Sequence, residues 1–112
     1  MGLEVSYRNI KPRDEIRRRS EGLYKKLSRF LDPAAEGSLL VGIEHGNAIL
    51  ELVVTTRGQT FKSTAEDPEL RAALDGLFHT MEGQLRRAKE RRIDKRRQVG
   101  EDEYGSPEDD LD

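Results

Sequence analysis

Apolar and polar residues alternate along the first eight positions. Leu3, Val5 and Tyr7 fall on one side and Glu4, Ser6 and Arg8 on the other. A period of two predicts a half-buried strand. After Pro12 the period changes. Ile16, Leu23, Leu27, Phe30 and Leu31 follow helical spacing, which puts one stripe on a core and the intervening arginines outside. Nothing before Asp14 makes a good N-cap, and Pro33 supplies the stop. Alternation returns at Leu39, Val41 and Ile43, again at Ala48, Leu50, Leu52 and Val54, and finally at Phe61, Ser63 and Ala65. His45-Gly46-Asn47 and Arg57-Gly58 separate these runs. Turns this short predict an antiparallel meander. Asp67-Pro68 then joins a strong N-cap residue to the residue favoured at the first helical position. The helix it opens carries Leu70, Leu74, Leu77, Met81 and Leu85 on one stripe, with Ala73 and Phe78 beside it.

The predicted order is β-α-β-β-β-α. A strand reaching the next through a helix predicts a right-handed parallel crossover. The fold class is α+β: a two-layer sandwich with a four-stranded mixed sheet and both helices on one face. Helix formers continue to Gln98, but beyond Leu85 only Ala88 and Ile93 are apolar. A basic helix is thus expected to outrun its core. Residues 1–98 are read as one α+β domain, and 99–112, with Gly105 and Pro107, as an acidic disordered tail.

Composition narrows the chemistry. The 112 residues suit one domain, and 38% of them are charged, against about 25% in an average soluble domain. There is no Cys, hence no disulfide framework and no thiolate nucleophile. No run of about 18 apolar residues offers a membrane span, and no apolar signal core opens the chain, so an intracellular protein is expected. Phosphate-cradling glycine loops, serine elbows and paired catalytic carboxylates do not stand out. His79 with Asp75 and Glu82 could share a helix face, but one His and two exposed carboxylates make a poor metal site. No enzyme activity, cofactor, metal or small-molecule substrate is expected.

The net charge of −2 conceals a strong segregation. Residues 11–29 hold eight bases against three acids, and residues 86–97 hold eight bases against two. Between them, residues 30–85 carry nine acids and three bases, and the last twelve residues carry seven acids and no base. A helix C-terminus accommodates two or three cations. Eight in twelve residues point instead to nucleic acid, met through phosphates, because the bases recur at several helical angles. Aromatic residues are few, so stacking on bases is not expected to dominate. Lys25, Lys26 and Arg29 form a second basic patch, whereas Arg17-Arg18-Arg19 cannot all face one way.

Several segments resemble the ribosome hibernation promoting factor and ribosome-associated inhibitor family over residues 3 to about 97. They are Lys25–Asp32 (Lys-Lys-Leu-Ser-Arg-Phe-Leu-Asp), Ile43-Glu44, Ala65-Glu66, Ala72-Ala73-Leu74-Asp75, Glu82, Gln84-Leu85-Arg86-Arg87, Lys89 and Arg91. The resemblance implies a cytoplasmic protein that binds the small ribosomal subunit and its rRNA and occludes the tRNA and mRNA sites. Carried over to this chain, the implied RNA contacts are Lys25, Lys26, Arg29, Arg86, Arg87, Lys89, Arg91 and Arg92. The dimerisation domain of the family's long forms is missing, which implies a short form that is monomeric when free. Departures fall at Gly22, Leu23, His45, Thr80 and Gly83, where members often carry bases, and at Arg71 and Ala88. From the residues alone two other classes stay open. One is a general module for structured or double-stranded RNA, and the other an adaptor recognised through its acidic tail.

Overall fold

The computed structural model describes the backbone of residues 2–102 and the side-chain surroundings of residues 2–95. Its elements are β1 (Gly2–Arg8), α1 (Asp14–Lys25), a 3-10 turn (Ser28–Phe30), β2 (Glu36–Glu44), β3 (Asn47–Thr56), β4 (Gln59–Asp67) and α2 (Leu70–Asp102). The sheet order is β1-β2-β3-β4, with β1 parallel to β2 and the other pairs antiparallel. This is the predicted α+β arrangement.

Register gives the sheet one apolar face. Leu3, Val5 and Tyr7 pair with Gly37, Leu39 and Val41. These pair with Val54, Leu52 and Leu50, which meet Phe61, Ser63 and Ala65 on β4. Both helices cover that face, α1 along β1 and α2 along β3 and β4, and they touch each other. The hairpins close through His45-Gly46 and Arg57-Gly58, all four residues at positive φ. Two such residues form the primed turn whose twist matches that of paired strands.

α1 is shorter than its sequence suggests. The stripe was expected to carry it to Pro33, yet it ends at Lys25, where Leu27 N–H bonds the Tyr24 carbonyl and the ladder tightens to i→i+3. The 3-10 turn follows, with three residues per turn instead of 3.6. That geometry points Leu27, Phe30 and Leu31 inward together, and all three are buried. Asp32 then closes the segment. Its carboxylate accepts from the Arg57 N–H (3.1 Å), and its own N–H donates to the Thr56 hydroxyl (3.0 Å), tying the connection to the β3–β4 turn.

The buried set also differs inside α1. Leu23 is only half-buried, whereas Tyr24 and Ser20 are buried. The Ser20 hydroxyl donates to the Ile16 carbonyl at 2.7 Å, so its polarity is met within the helix. The Tyr24 ring lies over Gly37, where a Cβ would stand 2.7 Å from Tyr24 Cε1. Its hydroxyl is buried with no hydrogen-bond partner among the described residues.

At α2 the Asp67 carboxylate accepts the Glu69 N–H at 2.8 Å, the expected cap. The expected stripe is buried from Ala73 to Leu85 and extends to Ala88, while Leu70 is half-buried. Gln84 Nε2 donates to the Lys62 carbonyl, and the Ser63 hydroxyl to that of Leu77, fastening helix to edge strand. Ile93 is exposed, so the body ends near Ala88 and roughly 20 Å of helix projects beyond it at 1.5 Å per residue. The backbone stays helical through Gly100 to Asp102, past the point where disorder was expected. No proline interrupts it in that stretch, and a single Gly costs only about 1 kcal/mol. The remainder of the expected tail lies outside the described residues.

Two substitutions test the Tyr24 site. Gly37→Ala forces a rigid ring to move and should cost about 1–3 kcal/mol of stability in urea unfolding. Tyr24→Phe removes an unpartnered hydroxyl and should leave stability at neutral pH equal or higher. Burial, and secondarily Glu36, hold the phenol's pKa above its ordinary 10.0. The neutral phenol is thus favoured by folding, and its contribution is lost as pH rises above 10.0. Wild-type stability should therefore fall relative to Tyr24→Phe as pH rises through 10.0, and the difference should be constant at lower pH.

Candidate nucleic-acid interface

Bases distant in sequence meet where the end of α1 approaches the middle of α2. Lys25 and Lys26 end the first helix and are exposed. Arg29, on the 3-10 turn, reaches Glu82 of α2 at 3.7 Å, and Arg86 reaches the same carboxylate oxygen at 3.4 Å. The guanidinium carbon of Arg29 lies 4.7 Å from the Phe30 ring centroid, and Lys89 Nζ lies 5.8 Å from it. A buried aromatic ring and one shared carboxylate thus gather Arg29, Arg86 and Lys89 from two elements, beside a groove that Lys26 and Glu82 line. Such ring contacts favour cations by about 0.5–1 kcal/mol at exposed sites.

The other predicted contacts occupy other sides of α2. Arg87 is turned 100° from Arg86, and its guanidinium lies over Gly83, 3.5 Å from where a Cβ would stand. Arg91 follows four residues later on the same side, and both are exposed. Arg92 is half-buried, one step further round the helix. Arg29, Arg86 and Lys89 therefore form a cluster between the 3-10 turn and α2, Lys26 lines the adjoining groove, and Arg87, Arg91 and Arg92 lie on other sides of α2. Cations at this many angles suit phosphates approaching from several directions, not one base edge.

The helical face also carries structural charge that spacing alone did not reveal. Arg19 donates to both Asp75 oxygens, from Nε at 3.1 Å and from Nη2 at 2.8 Å, and this raises its pKa further. Arg71 reaches Glu15 at 3.3 Å. Both pairs join α1 to α2. Arg19 and Arg71 thus serve helix docking, and Asp75 and Glu82, considered with His79 as metal ligands, are held by arginines. No group of metal-ligating side chains occurs among the described residues. Of the departures from the hibernation-factor pattern, Gly22 and Thr80 are exposed, His45 forms a hairpin turn, and Ala88 is buried. Leu23 lines a groove between the helices with Lys26, His79 and Glu82, and the space at Gly83 is taken by Arg87.

Residues 3–93 match the family described as Sigma 54 modulation protein / S30EA ribosomal protein. The chain belongs to this family. It is accordingly a ribosome-associated hibernation and modulation factor, which implies a cytoplasmic protein, and the matched family is not an enzyme family. The fold is similar to that of the Thermus thermophilus Protein Y N-terminal domain, with a TM-score of 0.73 and 26% identity. That match covers 78% of this chain and 98% of the other. A ribosomal subunit interface protein from Coxiella burnetii has the same fold, with a TM-score of 0.67, 24% identity and coverage of 80% and 98%. No curated protein sequence gave a match. No helix among the described residues is long and apolar enough to cross a membrane.

The two classes of arginine separate by experiment. In this S30EA-family chain, Arg19→Gln should lower the melting temperature by only about a few degrees and leave both rRNA affinity and its salt slope unchanged. Arg29→Gln should do the reverse. Thermal melts and salt titrations of rRNA binding read the two effects.

Proposed function

We propose that this factor binds the small ribosomal subunit through its helical face and occludes the tRNA and mRNA sites of idle ribosomes. Lys25, Lys26, Arg29, Arg86, Arg87, Lys89, Arg91 and Arg92 contact rRNA phosphates. The carrying observation is the convergence of Arg29, Arg86 and Lys89 on Glu82 and Phe30, which builds one cationic surface from two elements. Membership of a ribosome-associated family supports the ribosome as the target of that surface.

The mechanism is electrostatic docking followed by steric exclusion. Each phosphate neutralised releases counterions, so affinity falls with salt by about 0.7–0.9 logarithmic units per contact. The helix projecting past Ala88 extends the cationic surface beyond the body and lengthens the footprint. No bond is made or broken; a bound body of this size keeps tRNA and mRNA from the same space.

Co-sedimentation with small subunits and intact ribosomes, with free structured RNA as competitor, tests this reading. Stoichiometric binding that resists RNA competition and inhibits translation is expected. Reversing Arg86, Arg87, Lys89 and Arg91 to Glu should weaken binding roughly a hundredfold or more and flatten the salt slope. Equal binding to any structured RNA would replace the proposal with a general RNA-binding role.

A further inference from the structure

The face of the sheet that no helix covers has the opposite charge. Its outward positions include Glu4, Glu36, Glu44, Glu51 and Glu66, of which Glu51 is half-buried and the rest exposed. Arg8 and Lys62 are the bases among these positions, and Lys62 is committed to Glu51 at 2.7 Å. Between the acids lie Leu40, Ile49 and Val53, half-buried with no helix over them. A pocket of about 260 Å³ opens where Leu40, Gly42 and Ile49 meet, with Arg8, Glu44, Glu51 and Thr64 among its lining residues. Gly42 helps form it, since a Cβ there would stand 3.4 Å from the Arg8 carbonyl oxygen and fill part of the space.

We propose that this face is a second contact surface, which takes an Arg/Lys-rich protein segment and seats one of its aliphatic side chains over Gly42. Charge complementarity selects the partner. Five carboxylates against two bases repel phosphate and attract cationic side chains. RNA-reading sheets expose aromatic residues for stacking, whereas Tyr7 and Phe61 both turn toward the helices here. The apolar strip and pocket call for a polypeptide with aliphatic stems, not a lone cation. The molecule would thus meet two chemistries on one ribosome, rRNA at the helices and a basic protein segment at the sheet. This inference rests on the ribosome-binding reading above.

The test is a double charge reversal, Glu44→Lys with Glu66→Lys, assayed on intact ribosomes and on free duplex RNA at one salt concentration. Both side chains are exposed, and a melting curve checks the fold. Affinity for duplex RNA should rise about threefold with the added positive charge. Affinity for ribosomes should fall about fivefold or more, because like charges then face the basic segment. Ribosome affinity rising in step with RNA affinity would overturn the proposal. A wild-type protein that binds no ribosomes would overturn the functional reading itself, which the same assay separates. Independently, a benzophenone amino acid at Thr64 should crosslink on purified ribosomes to an Arg/Lys-rich peptide of a ribosomal protein. Crosslinks to rRNA or to a second copy of this chain would overturn it.

Discussion

Register across four strands is the constraint from which the molecule follows. Each inward residue of one strand faces an inward residue of the next, from Leu3–Gly37–Val54–Phe61 through Val5–Leu39–Leu52–Ser63 to Tyr7–Val41–Leu50–Ala65. A slip of one residue in any pair would turn that strand's apolar set to water. With one apolar face only, two amphipathic helices have a single place to bury their stripes, and they must lie side by side. Their outward surfaces therefore merge into one. Ser63 and Gly37 show how closely the layers approach: a hydroxyl reaches the α2 backbone at one, and at the other a Cβ would strike the Tyr24 ring.

Side-by-side helices rich in arginine repel each other, and the carboxylates on this face answer that repulsion. Arg19–Asp75 and Arg71–Glu15 cross the helix interface, and Glu82 spans Arg29 and Arg86. Exposed pairs of this kind add little stability individually. Their larger consequence is geometric, because they fix which cations point outward together. Glu82 lowers the local positive charge yet holds two arginines from different elements in one place. For phosphate recognition, ordered cations lose less side-chain entropy on binding than mobile ones.

The strands, their turns and α2 were legible because their signals are local: a period of two, a Gly in each two-residue turn, and Asp67-Pro68 at a helix start. The end of α1 was not. Leu27, Phe30 and Leu31 fit an α-helical stripe as well as a 3-10 turn, and only docking on the sheet decides between them. Tyr24 outcompeted Leu23 for the core because Gly37, on a distant strand, leaves a hollow for a ring, which no local pattern records. The basic composition of the interface could be read directly, including its spread around α2. The sorting of arginines could not. Arg19 looked like part of a surplus basic run, and its partner Asp75 is 56 residues away.

Segregating charge between the layers has a consequence that net charge hides. At −2 overall, the chain as a whole would be weakly repelled by RNA. A polyanion at close range instead meets separate regions of opposite sign, since screening at physiological salt limits interactions to about 8 Å. On the function proposed above, the helical face is attracted and the sheet face repelled, which favours one orientation at the encounter. Orientation of this kind raises the rate of productive encounter and suppresses wrong poses more than it deepens final affinity. On that same proposed function, the acids of the sheet and the bases of the helices act together in recognition. The net charge of −2, which also counts seven acids in the last twelve residues, conceals both surfaces.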